Sequence, residues 1–287
     1  VVPACLFPAL AIPRPTEVLY STPARPLTTV PPSQCMVRSQ SRLDSVLETF
    51  FIDSQNVCFL SELKEEQIAD HLCESPRSVA FRGQETGRVF PEGISFETRR
   101  GYLFIHAGSK VRRKGSKARA GVFIALGPHL TRLWNTTGKL LSHSMRHVAI
   151  ELRLSGHRIC VASAYAPLST SSSRLRSSFC SELASFASDS TRSVVIGIDS
   201  NSSVGTGRHG LAESVGPYNL PHVNAAGRDF QDFLTTHSLC LADTFFPKRN
   251  ELAMTSWIHH RTGQPYSLDH FITDPHTPVS YTHLRAH

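Results

Sequence analysis

The 287 residues contain no run of 18 consecutive apolar residues, which excludes a transmembrane helix as the organising element. The seven cysteines, at 5, 35, 58, 73, 160, 180 and 240, are odd in number and form no Cys-x-x-Cys pair. With Cys58 and Cys160 inside apolar segments, the pattern predicts buried thiols in a reducing compartment, not a disulfide framework. No internal repeat is visible. Charged residues make up only 18% of the chain against 40% hydrophobic, a balance that excludes wholesale disorder and leaves ample sequence for a core. Acids are the scarcer charge, 23 against 30 lysines and arginines, for a net charge of +7 and a pI of about 9.2. This modest excess favours polyanionic partners. Fifteen histidines add switchable charge below about pH 6.5.

Regular patterning is also missing from both ends. Residues 1–34 hold eight of the 18 prolines, including Pro13, Pro15, Pro31 and Pro32, and read as a disordered lead-in. Val1 to Ile12 is apolar, but prolines interrupt it and no basic leader precedes it, so no signal peptide is expected. Residues 279–287 resemble the in-frame translation of a sequencing adapter, which would place the end of natural sequence near Pro278. The domain proper is therefore expected over 35–278.

Between these ends, strand and helix patterns alternate. Leu43 to Phe51 and Glu62 to Glu74 read as helices, as do Ser178 to Phe186 and Asp229 to His237, whose Phe230, Phe233 and Leu234 share a face. Strands are expected at Val57–Leu60, Gly101–Ile105, Gly121–Leu126, Val148–Leu154 and Arg158–Tyr165, with Gly156 as the hairpin point between the last two. This order predicts a layered α/β or α+β sandwich.

Three strands end in groups that bear chemistry. Ser193 to Ile198 is β-branched and apolar and runs into Asp199-Ser200-Asn201. Tyr266 to Ile272 carries Asp269 within an apolar strand, and Asn56 to Ser61 leads into Glu62. Carboxylates and an amide converging from strand ends suit a divalent-metal phosphodiesterase, which needs a hard oxygen ligand, an activated water and a stabilised leaving oxygen. Each residue also has a purely structural reading. A glutamate at a strand end can be solvated surface, and Asp-x-Asn is common turn chemistry. Tyr165 can be a core aromatic with a bonded hydroxyl, Asp269 a structural acceptor, and Trp257, Phe245 and Phe246 read as core.

Taken in order, these segments resemble the endonuclease/exonuclease/phosphatase superfamily, with the DNase I-like fold, and within it the apurinic-type endonuclease domain of non-LTR retrotransposons. Val57 to Leu63 resembles the family's strand ending in Gln-Glu-Thr, Ala164-Tyr165-Ala166-Pro167 its Tyr-x-Pro turn, and Gly197 to Asn201 its Gly-Asp-x-Asn loop. The likeness continues through Gly216, Asn224 to Gly227, Asp243 to Phe246 and Thr255 to Trp257. Ser267 to Ile272 resembles the Ile-Asp-Tyr strand. The resemblance implies a four-layer sandwich of two mixed β-sheets flanked by helices. It also implies Mg²⁺ or Mn²⁺ as cofactor, DNA as substrate, a nuclear location, and a reverse transcriptase in the same polyprotein. Carried over by position, Glu62 holds the metal and Asp199 takes the proton of the attacking water. Asn201 fixes that geometry or contacts a phosphate oxygen, Tyr165 donates its hydroxyl to the phosphate or steadies the leaving group, and Asp269 orients a neighbouring histidine or another side chain of the site.

Two departures accompany the likeness. The Asn-bearing opening strand, read at Cys35 to Ser39, has Met36 in the Asn position. The family's Ser-Asp-His strand is not met, and His270, His276, His283 and His287 stand in other contexts, so the polypeptide as written is expected to be inactive. A catalytically decayed nucleic-acid-binding or scaffold protein, and a phosphatase of the same superfamily, are the alternative readings. The stretch 110–119 has six basic residues in ten (Lys110, Arg112, Arg113, Lys114, Lys117 and Arg119) and no acid. It reads as a hairpin tip contacting phosphates without base readout, or else as a solvated loop or weak localisation signal.

Overall fold

The computed structural model describes residues 51–56, 60–74, 78–110, 120–154, 156–207, 213–248 and 250–275. Its first half builds one sheet. Strand β1 (Phe51–Asn56) runs parallel to β2 (Ser78–Gln84), joined through helix α1 (Glu62–Glu74). Strands β3 (Ile94–Arg99), β4 (Tyr102–Ala107) and β5 (Val122–Leu126) complete it antiparallel, in the order β1-β2-β5-β4-β3. Arg99 pairs with Tyr102, so β3 and β4 are joined by Arg100-Gly101, both with positive φ (50° and 84°), the two-residue turn that matches strand twist.

Helix α2 (Pro128–Thr137), opened by a proline that has no helical hydrogen bond to lose, leads into the second sheet. That sheet comprises β6 (Lys139–Ser144), β7 (His147–Leu154), β8 (His157–Tyr165), β9 (Ser193–Asp199), β10 (Cys240–Leu241) and β13 (Asp269–Thr273), in the order β10-β13-β9-β8-β7-β6. Leu154 pairs with His157, and Gly156 between them has φ +85°, the expected hairpin point. Helix α3 (Ser173–Ala187) crosses from β8 to its parallel neighbour β9, and α4 (Ala225–Thr236) precedes β10. The Ser172 and Asn224 side chains cap these helices by accepting the Leu175 and Gly227 N–H. A short helix α5 (Glu251–Met254) precedes a small hairpin of β11 (Trp257–Ile258) and β12 (Pro265–Tyr266).

Period-two alternation assigns the strand faces. Leu103, Ile105, Val122 and Ile124 of the first sheet meet Val148, Ile150 and Val161 of the second. The outer face of the first sheet, with Phe104 and Phe123, packs on Ile68 and Ala69 of α1. That of the second, with Cys160, Ala162, Val194 and Ile196, packs on Phe179 and Leu183 of α3 and Phe230 and Leu234 of α4. The result is the expected four-layer sandwich with both sheets mixed, and both sheets are apolar on two faces because each is covered twice.

Several expectations shift. Helix α1 has the bounds read from sequence, but the strand expected before it does not reach Glu62: residues 57–59 lie outside the described residues, and Leu60 and Ser61 are irregular. The helix expected over Leu43 to Phe51 lies outside the described residues except at Phe51, which opens β1. Tyr266 to Ile272 is not one strand but the end of β12 and most of β13, with Asp269 opening the latter. The lead-in 1–34, Cys35 to Ser39 and the tail 279–287 lie outside the described residues, as do 111–119 of the basic stretch. Lys110 is exposed beyond β4. Among the described residues no helix is long and apolar enough to cross a membrane.

Candidate active site

Three of the residues singled out in the sequence stand in one row. Tyr165 ends β8 and pairs with Asp199 at the end of parallel β9, and Asp199 pairs with Asp269 at the start of antiparallel β13. The apolar run before Asp199 makes it the last residue of a central buried strand, and the residue is only 4% exposed. Its Oδ1 accepts the Asn201 N–H at 3.0 Å. Asn201, at φ +47°, in turn donates from Nδ2 to the Ala166 carbonyl at 2.9 Å. Asn tolerates this left-handed conformation better than most residues. The turn chemistry of Asp-x-Asn and its place in the site are therefore one arrangement. The Ser200 N–H reaches the Leu268 carbonyl at 2.7 Å, tying this loop to the approach of β13.

The fourth group comes from the facing sheet, and it is not Glu62. Glu62 is the first residue of α1 and is exposed, in a helix N-terminal turn where a carboxylate complements the macrodipole. A Gln-Glu-Thr sequence stands at Gln84-Glu85-Thr86, at the end of β2. Glu85 leaves the strand with φ +59°, and its Oε1 accepts the Tyr165 hydroxyl at 2.5 Å. A positive φ at a non-glycine residue is uncommon and costs of order 1–3 kcal/mol, tolerated where the surroundings fix it. Here the Thr86 and Gly87 N–H groups donate to the Gly121 and Ala120 carbonyls, and the Leu60 N–H to that of Thr86. On the other side of Gln84, Asn56 ends β1 in register with it.

Electrostatics reinforce the cluster. Burial, together with the Glu85 bond and the Glu85 and Asp199 charges, raises the Tyr165 pKa and keeps its hydroxyl a donor. Arg146 backs it: the Tyr165 N–H donates to the Arg146 carbonyl at 2.7 Å, and the guanidinium lies 5.8 Å from the Tyr165 ring centroid. Asp269 is pushed up to about 6, mainly by burial and further by the Asp243 and Glu85 charges, against the restraining bond with Ser256. Its Oδ1 is buried without a hydrogen-bond partner among the described residues. His270, its neighbour, points away into the core. There it is held between Asp243 at 3.1 Å and the Ser267 carbonyl at 3.2 Å, which removes it from the site. Asp243 is itself fully buried. Burial alone would raise its pKa, but His270, Lys248 and the Phe271 N–H outweigh that and hold it low.

Glu85, Asp199 and Asp269 bring hard oxygens near one another at the strand ends, with mutual repulsion that a divalent cation would relieve. Mg²⁺ suits such a set, because it takes one or two carboxylates and retains waters. A tighter group elsewhere, Glu65, Glu97 and His106, has ligand atoms within 4.8 Å of one another but does not fit a cation. Arg88 and Arg99 already lie 2.6 and 2.8 Å from the two Glu65 oxygens, and burial with both arginines drives His106 down to about 3. It is a closed ion-pair cluster between α1 and the first sheet. Trp257, expected in the core, is 42% exposed on the β11–β12 hairpin, because a two-residue strand has no layer to cover it. It packs against Tyr266 and His259, each at 5.4 Å between ring centroids.

No protein-family model matches the sequence, and no curated protein matches it as a relative. Solved structures do match in fold. The AP endonuclease LMAP from Leishmania major shares 13% identity at a TM-score of 0.52, over 78% of this chain and 78% of that one. The 3′ phosphatase NExo from Neisseria, solved with a product DNA hairpin, shares 15% at 0.50, over 78% and 86%. The endonuclease domain of TRAS1, a telomere-specific non-LTR retrotransposon, shares 14% at 0.48, over 77% and 83%. With its two mixed sheets, its outer helices and this order of strands, the chain has the DNase I-like fold that the AP endonuclease and the 3′ phosphatase share.

Proposed function

We propose that the chain is a Mg²⁺-dependent phosphodiesterase that cuts DNA, and that it serves as the target-nicking domain of a non-LTR retroelement beside a reverse transcriptase. The observation that carries the reading is the meeting of Glu85 from one sheet with Tyr165, Asp199 and Asp269 from the other. Bound at Glu85, Mg²⁺ would supply charge stabilisation to the scissile phosphate. Tyr165, kept protonated beside Glu85, donates its hydroxyl hydrogen toward the phosphate or the leaving oxygen. Asp199, oriented by the Asn201 N–H, accepts the proton of the attacking water. Asp269 places a buried carboxylate oxygen where an imidazole or a water can be oriented.

DNA as substrate draws support from the basic stretch 110–119 and from the exposed Trp257 beside half-buried Tyr266, since bases stack on aromatic faces. Two proteins of the same fold, an AP endonuclease and a 3′ phosphatase solved with product DNA, are consistent with it. The retroelement role and a nuclear location rest on the order of the sequence motifs. The test is nicking of supercoiled plasmid by the purified protein with Mg²⁺, with and without added imidazole. Conversion to open circle that EDTA stops and that Asp199→Ala abolishes supports the reading. Nicking that survives Asp199→Ala in a clean preparation refutes it, as does no nicking when imidazole stands in for the histidine that the sequence does not present.

A further inference from the structure

The four site residues stand at or just past the ends of four strands, and one side chain from the first of these strands touches the other three just below the site. Arg82 lies on β2, three residues before Glu85, and is fully buried between the sheets. Its Nη1 donates to the Ala162 carbonyl on β8 and to the Val195 carbonyl on β9, each at 3.3 Å. Its guanidinium sits 4.5 Å from the ring centroid of Phe271 on β13. Ala162 leads to Tyr165, Val195 to Asp199, and Phe271 follows Asp269 by two residues. The adjoining bonds are polar too: Gln84 Nε2 reaches the Gly197 carbonyl at 3.4 Å, and the Ser163 hydroxyl donates to the Gly83 carbonyl at 3.1 Å.

This region differs from the rest of the sandwich interior. Where β4 and β5 face β7 and β8, the layer is apolar, and apolar contact is non-directional. Such a contact holds two sheets together without fixing how far one slides over the other. Hydrogen bonds and a cation over a ring face are directional and do fix it. The Glu85–Tyr165 bond, which crosses from sheet to sheet, needs that precision.

We propose that Arg82 is a positioning residue, a buried guanidinium that sets the offset between the two sheets so that Glu85 meets the groups borne by β8, β9 and β13. The inference rests on the site reading given above. It gives an arginine in the middle of a buried strand a task that a hydrophobic residue cannot perform.

The test uses the full chain and Tb³⁺, a hard-oxygen probe whose luminescence a nearby tyrosine sensitises, with Mg²⁺ as competitor. Thermal melting monitors folding, and the ¹⁹F resonance of 3-fluorotyrosine incorporated at position 165 monitors the Glu85 contact without metal. Glu85→Ala and Asp199→Ala serve as site controls. For Arg82→Met we expect a cooperative melt, a shifted ¹⁹F resonance and metal affinity weaker by about tenfold or more, the usual effect of losing a group that orients ligands. Nicking should lose roughly a hundredfold in kcat at unchanged KM, as for a misplacement of about 1 Å. Arg82→Lys, which keeps the charge and part of the reach, should recover a measurable share.

A folded Arg82→Met protein with the metal affinity and ¹⁹F signal of the parent overturns the proposal. If that variant does not fold, Phe271→Leu removes the ring beneath the guanidinium. A milder loss of metal affinity is then expected, and none overturns the inference. If Glu85→Ala and Asp199→Ala bind Tb³⁺ as the parent does, the site reading itself fails. The ¹⁹F shift then decides the role of Arg82 alone, an unchanged resonance counting against it.

Discussion

Tyr165 donates its hydroxyl hydrogen to Glu85 Oε1 at 2.5 Å, across the two sheets and eighty residues of chain. The bond joins the end of β8 to the residue just past β2, so the glutamate it brings to Tyr165 is Glu85. Glu62, at the exposed start of α1, has no part in it.

The first prediction separates those two carboxylates. Glu85→Ala should lose Mg²⁺-dependent nicking by at least about a hundredfold, as removal of a group that stabilises transition-state charge does. Glu62→Ala should leave nicking unchanged and alter stability by about 0.5 kcal/mol, the scale of a helix-dipole interaction. Parallel plasmid assays and denaturant titrations read both.

Asp269 makes stability depend on pH in a particular direction. Its folded pKa of about 6 lies above the unfolded value. The stabilising contribution is therefore complete below about pH 4 and is lost as pH rises through 6. A shift of about two units corresponds to roughly 3 kcal/mol of destabilisation at neutral pH. Asp269→Asn should therefore melt about 5 to 10 °C above the parent at pH 7.5, and the gap should close at pH 4. Scanning calorimetry at both pH values checks it. An equal gap at both would mean that the carboxylate is not the source.

The buried Asp269 Oδ1 lacks a hydrogen-bond partner, and among the described residues no histidine bonds it. Free imidazole should raise the nicking rate of the protein in a saturable manner, while Asp269→Ala should not respond. Rates across an imidazole series for both proteins give the answer.

The basic stretch between β4 and β5 supplies phosphate contacts in this reading. Replacing Arg112, Arg113 and Lys114 together with Ala should weaken duplex binding. It should also reduce the slope of log affinity against log salt by about 2.7, at roughly 0.9 per lost contact. Fluorescence titrations at several salt concentrations measure the slope, and an unchanged slope rules the contact out.

How far sequence could lead is clearest at individual residues. Asp199 and Tyr165 were legible because a long β-branched run and a Tyr-Ala-Pro turn mark the ends of central strands. Helix α1 was legible in its charge pattern. Glu85 was hidden despite its plain Gln-Glu-Thr context, because the strand before it, Ser78-Val79-Ala80-Phe81-Arg82-Gly83-Gln84, is broken by an arginine and a glycine. Asn56-Val57-Cys58-Phe59-Leu60 looks more like a buried strand, and it drew the assignment to Glu62. What breaks the pattern is Arg82, whose burial only the facing sheet explains. The exposure of Trp257 was hidden for the opposite reason, since a hairpin of two-residue strands leaves no periodicity to read.

The first sheet is drawn wholly from residues 51–126 and the second wholly from 139–273, with α2 and Gly138 as the link. The boundary between the two sheets along the chain is thus also, in the proposed reading, the boundary between the metal-holding carboxylate and the proton-handling groups. Cleaving the chain at Gly138 would give one fragment that can hold Glu85 and another that can hold Tyr165, Asp199 and Asp269, each inert by itself. If the proposed activity holds, their reunion would restore cutting, which would make the sandwich a two-part device whose output reports that its parts have met.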